Sequence, residues 1–187
     1  AVAGAMSAYR KSTMSAGDRV VISVAKEVEG CAAFVAAIIA GHVPVIVSAD
    51  AARPRFDAIC RAVEPAGLVL PAGAAKPDWS CPVIDSAAFS QHAAGGEEIA
   101  PPAYDPSALA YILFTSGTTA EPSGVEITVA NLLAHLETIR RLFGFGPSTR
   151  VFNPVPISHT DGIVLGPLLA LATGGSGIGL AVVRDIV

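Results

Sequence analysis

The chain of 187 residues is long enough for one domain with a full hydrophobic core, and its net charge is −4, from 12 basic and 16 acidic residues. It has no basic run and no arginines interleaved with aromatic residues, which argues against a nucleic-acid partner. Its three cysteines (Cys31, Cys60 and Cys81) lack CxxC spacing, so buried thiols in a reducing cytoplasm explain them better than disulfides or a protein-held metal.

A mean hydropathy of +0.56 raises the question of membrane insertion. Residues 30–49 and 162–183 are uncharged and long enough to cross a bilayer. Pro44 interrupts the first stretch, and Pro167 with several glycines interrupts the second, so both are better explained as pieces of a covered α/β sheet. The N-terminal residues lack the ordered features of a signal peptide. We therefore expect a cytoplasmic protein with no membrane contact.

The first 70 residues alternate between strand and helix patterns. Apolar runs and helical spacings predict strands over residues 19–25, 43–48 and 67–70 and helices over residues 1–14, 29–40 and 53–63. Such a β-α-β-α-β order predicts a parallel sheet with helices on its faces.

Residues 71–105 are rich in Pro, Ala and Gly, and only residues 81–84 look like a strand. We interpret this stretch as surface connections, with His92 as a solvated loop residue, and not as a domain boundary. The sequence thus predicts one α/β domain or subdomain over residues 1–187, made of strand–helix units over 1–70, an irregular connection over 71–105 and a further unit over 106–187.

A hydroxyl-rich loop follows the apolar strand pattern of Leu109–Phe114 and precedes extended structure at residues 125–128. Hydroxyls and backbone N–H groups around a glycine can converge on a phosphate, although a polar hairpin loop is the plain alternative. No GxxxxGK string exists, so this is not a Walker loop. The candidate phosphate-binding residues are Thr115, Ser116, Gly117, Thr118, Thr119, Ser123 and Gly124.

The clearest helix pattern is Val129–Phe143, which Thr128 can cap and Gly144 can end. His135 falls within its apolar pattern, and we predict a packed core residue in preference to a ligand. The residues at helical spacings are Leu132, Leu133, Leu136, Ile139, Arg140 and Phe143.

A strand pattern over residues 150–156 leads into a loop with His159 and then a helical pattern over 163–173. His159 is a candidate site residue, whereas a capping loop with a surface histidine is the alternative. The TGGSGIG string that follows is similar to a dehydrogenase loop, but it fails the GxGxxG spacing. We interpret it as a turn before a last strand over residues 180–183.

The string TSGTTAEPSGV resembles the signature loop of the adenylate-forming enzymes: acyl-CoA synthetases, peptide-synthetase adenylation domains and luciferases. Their pattern is [YF]-TSG-[ST]-TG-x-PKG-V, from which Ala120 and Ser123 depart, the latter replacing a lysine. AGDRV, AGHVPVIV and VPISHTDGI resemble further family segments in the same order, the last being similar to a PLxHxxG motif.

This resemblance implies a layered, mostly parallel β-sheet flanked by helices, as part of the large N-terminal domain of such an enzyme. It implies that the loop grips the phosphates of ATP with Mg²⁺ and that His159 lies near the acyl pocket. A small-molecule carboxylic acid would be adenylated and then passed to the thiol of CoA or phosphopantetheine. No catalytic residue is assigned.

The YGxTE and YxTGD strings and the late catalytic lysine of the family are not found. We therefore expect the chain to need the missing subdomains of the same enzyme, to be inactive alone and to self-associate. A non-catalytic or degenerate α/β nucleotide-binding-like module is the alternative, which Ala120 and Ser123 favour and the intact TSGTT opposes. A dehydrogenase fragment is a weaker third interpretation.

Overall fold

The computed structural model describes residues 1–24, 27–75, 77–91, 104–114 and 122–178. The strands are β1 (Arg19–Ile22), β2 (Val43–Ile46), β3 (Gly67–Leu70), β4 (Val83–Asp85), β5 (Leu109–Phe114), β6 (Gly124–Thr128), β7 (Arg150–Phe152) and β8 (Ser176–Ile178). The α-helices are α1 (Val2–Lys11), α2 (Glu27–Ile39), α3 (Arg53–Val63), α4 (Val129–Phe143), α5 (Thr160–Ile163) and α6 (Leu169–Thr173). A 3₁₀-helix spans Ser86–Gln91, and a π-helical turn, Val164–Leu168, joins α5 to α6.

Six strands form one sheet in the order β4-β3-β1-β2-β5-β6, and β7 and β8 form a separate parallel pair. All neighbours in the large sheet are parallel except β5 and β6, which form an antiparallel hairpin. Every residue of β2 and β3 is buried, as expected for parallel strands that are covered on both faces. The predicted mostly parallel, helix-flanked α/β fold is confirmed.

Side-chain alternation along the strands creates a core on each face of the sheet. In β1, Val20 and Ile22 join the core that α1, α2 and α4 cover, whereas Val21 joins the core that α3 covers. In the first core, Tyr9 of α1 is bonded to α2: its hydroxyl donates a hydrogen bond to the Ala33 carbonyl at 3.0 Å. Burial raises the pKa of Tyr9, so this phenol stays a neutral donor.

The helix α4 has the predicted bounds, because Thr128 and Asn131 form a capping box and Gly144 adopts a left-handed conformation at its end. The prediction for His135 is wrong, since this side chain is exposed. The buried face of α4 is a narrow stripe of Val129, Leu132, Leu136 and Ile139.

The second half also departs from prediction in the helical segment expected over residues 163–173, which begins earlier, at Thr160 in α5, and contains Pro167 in the π-helical turn. The π-helical turn accommodates this proline, and the Leu169 N–H donates to the Val164 carbonyl across five residues. A strand forms at Ser176–Ile178, and the predicted strand over residues 180–183 lies outside the described residues, as does His92.

The three cysteines all lie in the described part, and none forms a disulfide. Cys31 and Cys60 are buried as predicted, whereas Cys81 is partly exposed. Burial is the main cause that raises the pKa of Cys60 to about 12, so this thiol is un-ionised at neutral pH. Within the described ranges, no helix combines the length and apolar character that a membrane span requires.

Candidate functional site

A cleft of about 770 Å³ opens where β2 and β5 end. The carboxyl ends of parallel strands are where open α/β sheets commonly bind ligands. Four segments supply its walls: the end of β2, the first turns of α3, the β5–β6 hairpin and the loop before α5. The lining residues are Ile46, Val47, Ser48, Ala51, Arg55, Ile59, Leu113, Phe114, Val125, Ile127, Val155, Pro156, Ser158, His159 and Thr160.

The strands β5 and β6, which flank the predicted phosphate loop in sequence, both contribute residues to this cleft. Phe114 and Gly124 are paired across the hairpin, and Phe114 and Val125 both line the cleft. A Cβ on Gly124 would lie 3.1 Å from the Phe114 ring, so a small residue suits this close pairing. Ser123 is exposed immediately before β6. The candidate residues Thr115, Ser116, Gly117, Thr118 and Thr119 lie outside the described residues.

His159 lies on the opposite wall, in the loop that precedes α5. Its Nδ1 accepts a hydrogen bond from the Asp161 N–H at 3.4 Å and lies 3.9 Å from the Asp161 carboxylate. The side chain is 67% exposed, so its other ring nitrogen is available at the mouth of the cleft. The histidine therefore caps a helix and lines the cleft at once.

Asn153 fixes the backbone of the loop that carries His159. Its Nδ2 donates to the Asp161 carbonyl at 2.7 Å, and its Oδ1 accepts from the Val155 N–H at 3.0 Å. Our sequence reasoning missed this residue. The signal was the Asn-Pro pair after a strand, because asparagine before proline often starts a turn and bonds to nearby backbone.

Two glycines allow the same loop to pack closely against the protein. A Cβ on Gly162 would lie 1.9 Å from the Pro156 carbonyl oxygen, so only glycine fits there. A Cβ on Gly30 in α2 would lie 2.4 Å from the Ile157 side chain, which is buried. The loop between β7 and α5 is thus held at its start by Asn153, in its middle by the packing of Ile157 against Gly30, and at its end by the packing of Gly162 against Pro156.

Arg55 and His159 are the ionisable side chains among the described residues that line the cleft, and no Asp or Glu lines it there. Arg55 was also missed from the sequence, although an arginine in the first turn of a helix that follows β2 must lie near the sheet edge. A smaller cavity of about 230 Å³ shares Ser48 with the cleft and contains Asp50. Ser48 donates a hydrogen bond to Asp50.

The lining suits a ligand with both an apolar and an anionic part. Aliphatic and phenyl groups form most of the walls, and the ionisable groups are basic. The described part of the chain holds no cluster of three or more His, Cys, Asp or Glu that could hold a metal ion. A Mg²⁺ ion that arrives with phosphates is usually held by those phosphates and one or two protein carboxylates, and the described residues that line the cleft supply no carboxylate.

The structure is an α/β domain with a candidate ligand-binding cleft at the strand ends. The family model described as AMP-binding enzyme matches residues 7–181, and the chain belongs to this family of adenylate-forming ligases. The resemblance that the loop motif indicated is confirmed.

The curated relatives of this chain include a synthase and a CoA ligase. The chain is 33% identical over 171 residues to the phenyloxazoline synthase MbtB of Mycolicibacterium paratuberculosis, covering 90% of this chain and 14% of that protein. It is 36% identical over 120 residues to a sulfoacetate–CoA ligase of Cupriavidus necator, covering 64% of this chain and 22% of that ligase. The chain therefore spans less than a quarter of the length of either relative.

Solved structures of the same class superpose on nearly the whole chain. ATP-bound MatB from Rhodopseudomonas palustris has a TM-score of 0.81 at 25% identity, covering 96% of this chain and 38% of that one. A fatty acyl-adenylate ligase from L. pneumophila, in complex with acyl adenylate and pyrophosphate, has a TM-score of 0.79 at 23% identity, covering 95% of this chain and 32% of that one. The latter shows a shared fold.

Proposed function

We propose that this chain forms the phosphate-binding part and one wall of the acyl pocket of an ATP-dependent carboxylate-activating ligase. The observation that carries the proposal is that the residues flanking the hydroxyl-rich loop and His159 line one cleft at the strand ends. Family membership and the ATP-bound relative support the same conclusion.

In such a ligase, a carboxylate oxygen attacks the α-phosphorus of ATP, the bond to the bridging oxygen breaks, and pyrophosphate leaves. A thiol then displaces AMP. The chain's contribution is to bind and orient the triphosphate, because its charge must be neutralised before an anionic carboxylate can approach. Thr115, Ser116, Gly117, Thr118, Thr119, Ser123 and Gly124 would hold the phosphates and their Mg²⁺, while His159 and the apolar wall would face the acid.

The thiol acceptor in this proposal is CoA or a phosphopantetheine arm, consistent with the CoA ligase and the synthase among the relatives. We propose that residues 1–187 act as one α/β unit of a longer cytoplasmic ligase. The remaining subdomains would be its main partners, and the isolated chain would not complete the reaction.

A non-catalytic module is the second candidate, and the replacement of the family lysine by Ser123 favours it. A short, exposed hydroxyl cannot supply the cationic contact to phosphate that lysine provides. The two candidates differ in whether the loop still binds a nucleotide.

Titration calorimetry of Mg-ATP against the whole chain separates them. The wild type should bind saturably, a Ser116→Ala/Thr118→Ala variant should lose binding, and Ser123→Lys should bind more tightly. Ala134→Lys, which adds the same charge on the exposed side of α4, is the matched control and should behave as wild type. Absence of saturable binding by both the wild type and Ser123→Lys would overturn the ligase proposal for this chain.

A further inference from the structure

We propose that Cys60 and Cys81 form a reversible disulfide when the chain meets an oxidant such as hydrogen peroxide, which makes them a redox-sensitive cross-link. The bond would join the helix α3 to the segment that leads into β4. In the structure neither residue forms a disulfide, so the proposed bond belongs to an oxidised state of the chain. The inference goes beyond the proposed function and does not depend on it.

The segment before β4 turns alternate side chains towards α3. Trp79, Cys81 and Val83 are partly buried and pack against the core that α3 covers, whereas Asp78 and Ser80 are exposed. This alternation is typical of an extended chain, in which residues two apart face the same side. The side chain of Cys81 therefore faces the core to which Cys60 belongs.

A hydrogen bond between Trp79 and Asp57 fixes this segment against α3. The indole Nε1 of Trp79 donates to the Asp57 Oδ1 at 3.4 Å. Cys60 lies three residues after Asp57, which places the two side chains next to each other on one face of the helix. Cys81 lies two residues after Trp79 on the same side of the extended segment. The contact between Trp79 and Asp57 therefore brings Cys81 close to Cys60.

The pKa of Cys60 reflects the same proximity. Burial is the main cause that raises this pKa to about 12, and the negative charges of Asp57 and of an ionised Cys81 raise it further. Arg53 and Arg61 act in the opposite direction. A charge on Cys81 can influence Cys60 only at short range, because the interaction weakens with distance and screening. The two sulfurs are therefore close in the fold.

The difference in exposure gives the two thiols different parts in the reaction. Cys81 is partly exposed and Cys60 is buried, so a peroxide reaches Cys81 first. The Cys81 sulfur breaks the O–O bond and becomes a sulfenic acid, and one water leaves. Cys60, once deprotonated, attacks the Cys81 sulfur; the S–S bond forms, the S–O bond breaks, and the oxygen leaves as a second water with that proton. Two thiols thus lose two electrons, and one peroxide is reduced to two waters.

The cross-link would constrain one wall of the cleft. Ile59, which precedes Cys60 in α3, lines the cleft, and β4 is the outermost strand at one edge of the sheet. A bond from residue 60 to residue 81 closes a loop, and loop closure stabilises a fold mainly by restricting the unfolded chain. Oxidation should therefore hold α3 on the sheet and raise the thermal midpoint by about 5–10 °C.

The test treats the whole chain with hydrogen peroxide and measures its intact mass, its thermal midpoint and its cross-linked peptides. The wild type should lose the mass of two hydrogen atoms, contain Cys60 joined to Cys81, and recover its first mass and midpoint in dithiothreitol. Cys31→Ala is the matched control and should form the same cross-link, because Cys31 lies in the core on the other face of the sheet. Cys81→Ser and Cys60→Ala should form no disulfide within one chain.

Addition of oxygen to Cys81 without loss of hydrogen would overturn the proposal, as would a disulfide that joins two chains or includes Cys31. A cross-linked chain whose thermal midpoint does not rise would overturn the constraint on α3. Peroxide treatment in urea should spread the disulfides over all three cysteines, and the same selective pairing there would show that the fold does not direct it. Because Cys81 is partly exposed, Cys81→Ser keeps the test decisive if Cys60→Ala does not reach the wild-type midpoint.

Discussion

Gly162, in α5, is packed tightly against the loop that lines the cleft. Its hydrogen faces the Pro156 carbonyl, where a methyl group would be only 1.9 Å from the oxygen. Because the obstacle is backbone and not a movable side chain, the loop must shift if the residue grows. The position of His159 therefore depends on residue 162 having no Cβ.

We expect Gly162→Ala to lower the free energy of unfolding by about 1–3 kcal/mol, the usual cost of overpacking a tight site. The measurement is urea denaturation followed by circular dichroism. Gly146→Ala is the control, because a Cβ there meets no atom within 4 Å. Equal stability of the two variants would contradict the tight packing of the cleft loop.

At the scale of the element, two arginines on the exposed face of α4 lower the pKa of a neighbouring carboxylate. The guanidinium groups of Arg140 and Arg141 donate hydrogen bonds to the Glu137 carboxylate. These bonds hold the pKa of Glu137 at about 2, below the ordinary value of 4.5. A carboxylate with a lowered folded pKa stabilises the protein above its unfolded pKa, and this contribution disappears as the pH falls from about 4.5 towards 2.

We therefore expect Glu137→Gln to melt slightly below the wild type at pH 7 and to converge with it near pH 2. The effect should be small, because the group is exposed and solvent screens it. Thermal unfolding at a series of pH values measures it, with low salt chosen to limit screening. A constant gap between the two proteins across this pH range would contradict the assignment of the pKa shift to these arginines.

The same helix shows what the sequence could and could not predict. Its ends were predictable, because a capping residue and a left-handed glycine are local signals. Its faces were not, because the buried stripe is narrower than the apolar pattern. His135 lies beyond the edge of that stripe, and Phe143 is 65% exposed because the stripe ends before the last turn.

Longer-range features were predictable only in part. The parallel sheet follows from the order of strand and helix patterns, and the loop motif indicated the family. Asn153 was missed although the Asn-Pro pair was a local signal for a turn. Arg55 was missed because α3 and the β5–β6 hairpin come together at the cleft only in the fold. The π-helical turn around Pro167 was missed because helical periodicity alone does not reveal a single wide turn.

At the scale of the whole molecule, the surface carries several large apolar side chains. Leu133, Leu142, Phe143 and Phe152 are 59%, 73%, 65% and 69% exposed. Phe143 also contacts Phe145, with ring centroids 5.9 Å apart. Exposed apolar groups of this size favour association, because burying them removes apolar area from water.

We expect the isolated chain to self-associate as its concentration rises, and a Leu142→Glu/Phe143→Glu variant to do so less. Light scattering over a concentration series measures this, and the thermal midpoint checks that the variant is folded. Arg140→Glu/Arg141→Glu alters charge on the same turn without removing apolar area and serves as the control. A wild type that remains monomeric at high concentration would contradict the expectation.

The pairing of β2 with β5 affects the order in which parts of the sheet unfold locally. The register of β1 on β2 pairs four residues, whereas that of β5 on β2 pairs Val45 with Ile112 alone, from distant parts of the chain. Distant pairings bear the larger loop-closure cost and tend to form late and separate early. We expect amide hydrogen exchange to be faster in β5 and β6 than in β1, so that the hairpin wall of the cleft opens while the centre of the sheet stays closed.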